Sequence, residues 1–150
     1  MNNIKVTQNN ITRILDVFDQ ISKFCATEKD LSYGFNLSKP EILALESIYQ
    51  KNELIMSQLA KNLDIGFSTA TKIIDRLLDK NLVIRESDPG DRRIVKVVLT
   101  KKGNQFVILH RNHKKEIFEK ILSILTLDEQ ENFITIMEKI AKTGESELKL

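Results

Sequence analysis

Several things are scarce in this 150-residue chain, and each scarcity excludes a class of protein. There is one cysteine, Cys25, so no internal disulfide framework is possible, and a reducing cytoplasm is the compartment expected. There are two prolines, five glycines and no tryptophan, which argues for long regular elements over a turn-rich β-sandwich. The longest unbroken apolar runs, Ile42–Leu45 and Phe106–Leu109, are far short of the roughly 18 residues of a membrane span, so no membrane partner is expected. The start, Met1-Asn2-Asn3-Ile4-Lys5, has no apolar stretch of the secretory type. What is abundant is ordinary for a globular protein: 41% hydrophobic and 29% charged residues, enough for one domain spanning 1–150.

The net charge of +2 conceals an asymmetry. Residues 55–115 carry 13 basic and 6 acidic side chains, a net +7, whereas residues 1–54 carry 6 and 7 and residues 116–150 carry 4 and 8. A basic middle between neutral and acidic ends points to one face built for a polyanion.

Apolar spacing predicts a long first helix over about 6–27, with Ile11, Ile14, Leu15, Phe18, Ile21, Phe24 and Cys25 on one face. A second helix opens at Ser38, where Ser38-Lys39-Pro40-Glu41 combines a capping hydroxyl, a first-turn proline and a glutamate three residues on. It should bury Ile42, Leu45, Ile48 and Tyr49. A short helix over about 57–63 follows, burying Leu59, Ala60 and Leu63. After the turn Asp64-Ile65-Gly66-Phe67, Ser68 is expected to cap a helix from Thr69 to about Lys80. Its stripe is Ala70, Ile73, Ile74, Leu77 and Leu78, and Asn81 is the expected left-handed stop.

The period then changes to two. Residues 82–87 and 94–99 flank Asp88-Pro89-Gly90-Asp91-Arg92-Arg93, which predicts a two-stranded hairpin. Thr100 caps a long helix to about 124, and Thr126-Leu127-Asp128-Glu129 opens a last helix over about 126–146.

Two short helices joined by a tight turn and followed by a hairpin compose a winged helix-turn-helix lobe, about 38–100. The expected fold is therefore mainly α with a small β-hairpin wing, flanked by long dimerisation helices. In such a lobe the second helix enters the major groove of DNA. Its unburied set begins with Ser68, Thr69 and Thr71, short hydroxyls suited to base edges or phosphates, and Lys72 and Arg76 suit phosphates. Asp79 and Asp75 complete that outer set. The hairpin tip offers Arg92 and Arg93 to a narrow, negative minor groove, with Asp91 able to orient one guanidinium.

These segments resemble the MarR family of bacterial transcriptional regulators. The resemblance rests on Ser57-Gln58-Leu59-Ala60, Thr71-Lys72-Ile73-Ile74-Asp75-Arg76-Leu77, Leu82-Val83-Ile84-Arg85, Asp88-Pro89-Gly90-Asp91-Arg92-Arg93 and Val97-Val98-Leu99-Thr100-Lys101-Lys102-Gly103. Asn81 departs from the glycine usual there, which affects a turn. The resemblance implies a ligand-responsive repressor, a homodimer on a palindromic operator, with Arg93 the minor-groove residue and Asp91 its positioner. The apolar faces of the outer helices support a dimer independently, since a small lobe cannot cover them.

The effector is open. Family members commonly take small amphipathic molecules, and the apolar candidates for such a pocket are Phe18, Tyr33, Phe35, Phe106 and His110. His110 and His113, three apart, can form half of a metal site with Cys25 or Glu28, but no ligand-rich cluster accompanies them, so no metal and no cofactor is expected. Cys25 ends its helix, away from where the family's peroxide sensors keep their reactive thiol, and its spacing fits a buried structural residue. Two rivals remain at this level. An enzyme with Cys25 as nucleophile and His110 as base lacks an oxyanion loop or phosphate-cradling glycines. A winged helix that binds protein without DNA needs neither the arginine tip nor the basic middle.

Overall fold

The computed structural model describes residues 6–26, 34–91 and 94–147. They fall into two compact units, residues 1–110 and 111–150, with the division inside one helix.

The first unit holds α1 (Gln8–Ala26), α2 (Lys39–Lys51), β1 (Glu53–Ile55), α3 (Met56–Asn62), α4 (Phe67–Asp79), β2 (Val83–Ser87), β3 (Val95–Leu99) and the start of α5 (Lys101–Ser123). The expected lobe is present with one addition. The sheet has three strands in the order β1-β3-β2, all antiparallel, where the sequence predicts only the β2-β3 hairpin. β1 is three residues long and lies between two helices, too short for alternation to register. It aligns Leu54 with Val97, and both face the core.

That core is Ala44, Leu45 and Ile48 of α2, Leu59 of α3, Ile73, Ile74 and Leu77 of α4, Leu54, Val83 and Val97 of the sheet, Leu82, and Phe106 and Val107 of α5. Ile42, Tyr49, Leu63 and Leu78 pack against it only partly buried, because each sits at the edge of its helix stripe. Glu41 replaces them among the buried residues of α2, at 3% exposure. Its Oε2 accepts from the Ser38 N–H and the Ser38 hydroxyl, both at 2.7 Å, which is the expected box. Its Oε1 accepts from Lys80 Nζ at 2.8 Å, and the same ammonium donates to the Asn36 carbonyl. Burial alone would raise the Glu41 pKa, but the Lys80 and Ser38 bonds outweigh it and hold the carboxyl below its ordinary value.

Both helices of the helix-turn-helix stop in the same way. After α3, Ile65 N–H reaches the Ala60 carbonyl and Asp64 N–H the Lys61 carbonyl, with Asp64 at φ 52°. After α4, Leu82 N–H reaches Leu77 and Asn81 N–H reaches Leu78, with Asn81 at φ 57°. These are Schellman closures, with a short polar side chain in the left-handed position that glycine usually occupies. Thr100 caps α5 by accepting the Gly103 N–H at 3.0 Å while donating to the Asn81 carbonyl at 2.8 Å. The cap thus ties α5 to the end of α4.

The second unit contains the rest of α5 and α6 (Leu127–Glu147). Thr126 and Glu129 form the predicted box, the Glu129 carboxylate accepting both the Thr126 N–H and hydroxyl. Gln130 holds the preceding turn by donating to the Leu122 and Leu125 carbonyls.

Candidate nucleic-acid interface

α4 starts two residues earlier than the sequence predicts. Its N-cap is Gly66 at φ −65°, and Ser68 lies within the first turn instead of capping it. Gly66 offers no side-chain oxygen, but its carbonyl takes the Thr69 and Ala70 N–H groups, each at 3.0 Å. Ala70, Ile73, Ile74 and Leu77 are buried, as the stripe requires, which turns Ser68, Thr69, Lys72, Asp75, Arg76 and Asp79 outward. Thr71 is half-buried, and its hydroxyl donates to the Phe67 carbonyl at 3.0 Å. It retains only acceptor capacity for an outside partner. Phe67, read from sequence as part of the turn, is the first residue of the helix and is 59% exposed.

The wing is braced at two points that sequence pattern misses. At its root, Arg85 Nη2 of β2 donates to Asp75 Oδ1 of α4 at 2.7 Å, fixing the strand to the outer side of the helix. Nearer the tip, Lys96 Nζ of β3 contacts Asp88 Oδ2 at 2.7 Å and Glu53 Oε1 of β1 at 2.6 Å. The other oxygen of Asp88 accepts the Gly90 and Asp91 N–H groups, at 2.8 and 3.2 Å. Asp88 N–H closes the loop onto the Ile94 carbonyl at 2.9 Å. The Lys96 bond, then those from Gly90 and Asp91, hold the Asp88 carboxyl below its ordinary value, and the two carboxylates push the Lys96 ammonium well up. One lysine of β3 therefore links β1 to the loop that follows β2. The signal available in the sequence was a polar residue inside an apolar strand, Val95-Lys96-Val97; its partner Glu53 belongs to the unexpected β1.

Asp91 is exposed at the tip, and its carbonyl accepts the Ile94 N–H. Arg92 and Arg93 lie outside the described residues.

The residues named for an effector pocket divide. Phe35, Phe106 and His110 come together: Phe35 meets Phe106 edge-on at 5.3 Å, and Phe106 stacks on His110 at 5.8 Å. Phe106 is fully buried and His110 is 7% exposed, its Nε2 lying 3.6 Å from Glu46 Oε1. Phe18 is on α1, 66% exposed. Tyr33, Glu28 and the Cys25 side chain lie outside the described residues. Beside Phe35 a surface hollow of about 310 Å³ is lined by Gly34, Phe35, Lys80 and Lys102, with Lys102 Nζ 5.5 Å above the Phe35 ring. Among the described residues, no three His, Cys, Asp or Glu side chains gather as a metal site, and no helix is long and apolar enough to cross a membrane.

A hydroxyl-fronted helix braced against a wing is the arrangement of known DNA-binding regulators, and comparison with known proteins agrees. Residues 37–95 match the MarR family model. The chain is 32% identical over 108 residues to the uncharacterized HTH-type transcriptional regulator YkoM of Bacillus subtilis (strain 168), covering 71% of this chain and 68% of that protein. It is 29% identical over 109 residues to the HTH-type transcriptional repressor MdtR of the same organism, covering 73% and 70%. Its fold is that of Streptococcus pneumoniae FabT, solved in complex with DNA, with a TM-score of 0.78, 24% identity, and 90% and 97% of the two chains covered. These relatives are regulators of transcription and not enzymes, so the Cys25–His110 reading falls away. The chain belongs to the MarR family of winged helix-turn-helix transcriptional regulators.

Proposed function

We propose that the protein is a ligand-responsive repressor that binds a palindromic DNA operator as a homodimer. The first turn of α4 enters the major groove, and Arg93, positioned by Asp91, enters the adjoining minor groove. The carrying observation is the Arg85–Asp75 ion pair, which joins β2 of the wing to the outer side of α4, while Lys96–Asp88 braces the wing internally. A reader whose two parts are fixed to each other loses little freedom on docking. Lys72 and Arg76, both exposed on α4, supply phosphate contacts. The repressor sense follows the name of MdtR, and the DNA follows the complex formed by FabT.

Support for the homodimer comes from uncovered apolar side chains. On α1, Ile14, Leu15 and Phe18 are 67%, 57% and 66% exposed. On α6, Ile136, Met137 and Ile140 are also largely exposed. Each is worth about 1.5–3 kcal/mol when fully covered, which a second copy supplies. Twofold symmetry then presents two readers about one helical turn of DNA apart, roughly 34 Å. An amphipathic anionic effector suits the hollow at Phe35, Lys80 and Lys102.

Mobility-shift titration tests the reading. Arg93→Ala should weaken operator binding by about 1–3 kcal/mol. Lys72→Ala should weaken all duplexes alike and flatten the log–log salt slope by about one unit. Binding that is unchanged by Arg93→Ala removes the wing from the interface, and a salt slope near zero for the parent protein removes DNA.

A further inference from the structure

We infer that Phe67 is a specificity-determining residue that reads the C5-methyl of a thymine in the major groove. The inference rests on the DNA-binding reading above and adds a base to it.

Phe67 is the first residue of α4, on the turn that a helix-turn-helix presents to base edges. It is 59% exposed, and it belongs neither to the core nor to the apolar side chains packed around it. The fold therefore gains little from an aromatic ring there. The two residues that follow it, Ser68 and Thr69, are exposed and polar. Its backbone is well fixed: Gly66 caps the turn, and the Phe67 carbonyl takes the Thr71 hydroxyl at 3.0 Å. A ring with two rotatable bonds on a fixed backbone loses little entropy when it docks.

Among the groups displayed in the major groove, the C5-methyl of thymine is the apolar one. The other base-edge groups are hydrogen-bond donors or acceptors, which a phenyl ring cannot satisfy. Burying one methyl against the ring corresponds to about a fourfold preference for each thymine contacted. Ser68 and Thr69 beside it remain free to bond the neighbouring edges, so the ring fixes one position and the hydroxyls those next to it.

The test begins with a duplex enriched from a random library by the wild-type chain. Each thymine is then replaced in turn by deoxyuridine, which removes only the methyl. Wild type should lose about three- to fivefold in affinity at one position per half-site and be indifferent elsewhere. Phe67→Ala should bind the thymine duplex three- to fivefold more weakly and no longer distinguish deoxyuridine at that position. Phe67→Leu should retain part of the discrimination. An unchanged urea midpoint for Phe67→Ala confirms that the ring is not needed for folding. Indifference of wild type to every deoxyuridine, or full discrimination surviving in Phe67→Ala, overturns the assignment while leaving DNA binding intact. Failure to enrich any duplex overturns the DNA-binding reading itself, and this proposal with it.

Discussion

Replacing Gly103 by alanine should destabilise the protein, although Gly103 sits in the first turn of a helix, where alanine is ordinarily the better residue by about 1 kcal/mol. A Cβ at this position would fall on the Leu82 carbonyl oxygen and lie 3.0 Å from its carbonyl carbon. Carbon atoms prefer about 3.5–4.0 Å, so α5 must retreat from the β2 entry by something near an ångström. The retreat strains the Thr100 N–H bond to the same Leu82 oxygen, now 3.0 Å long, worth about 1 kcal/mol. It also loosens Phe106 and Val107, both fully buried one turn along. Overpacking of this kind costs about 1–3 kcal/mol. After subtracting the helix-propensity gain, the net loss is about 1–3 kcal/mol, or a fall in melting temperature of roughly 3–10 °C for a chain of this size. Urea melts at a fixed protein concentration measure it, with the exposed Gln105→Ala on the same helix as a control expected within about 0.5 kcal/mol of wild type. Gly103→Ala as stable as wild type would show that the close approach is not what requires glycine.

Acid should weaken the Glu41 anchor. Its carboxyl is held below the ordinary value near 4.5, so its contribution is present above that range and is lost as pH falls through the lower folded value. Glu41→Gln should cost about 1.5–3 kcal/mol near neutrality and much less near pH 3; a deficit independent of pH in urea melts would refute this. Sedimentation should give wild type at twice 17.3 kDa, and Phe18→Glu should shift it toward the single chain and weaken a palindromic duplex more than a half-site. A wild type that sediments as a single chain removes the dimer.

Much of this protein was legible in its residues. The two boxes at Ser38–Glu41 and Thr126–Glu129, the left-handed stop at Asn81 and the buried stripe of α4 are decided by neighbours three or four positions away, and local chemistry suffices for them. The hydroxyls and cations of α4 were legible too, because the stripe that goes inward names what is left outside. The start of α4 was misplaced by two residues because Ser68 has the better cap chemistry while Gly66 has the required backbone. That shift turned Phe67 from a turn residue into the tip of the helix.

What tertiary structure alone decided are the contacts between distant segments. β1 pairs Glu53 with a strand more than forty residues away, and only then does Lys96 find its second carboxylate. Arg85 meets Asp75, Lys80 meets Glu41, and Leu82 presses on Gly103 for the same reason. Periodicity reports which face of an element is apolar, but it carries no information about which foreign residue that face will meet. That depends on how the elements close around a shared core.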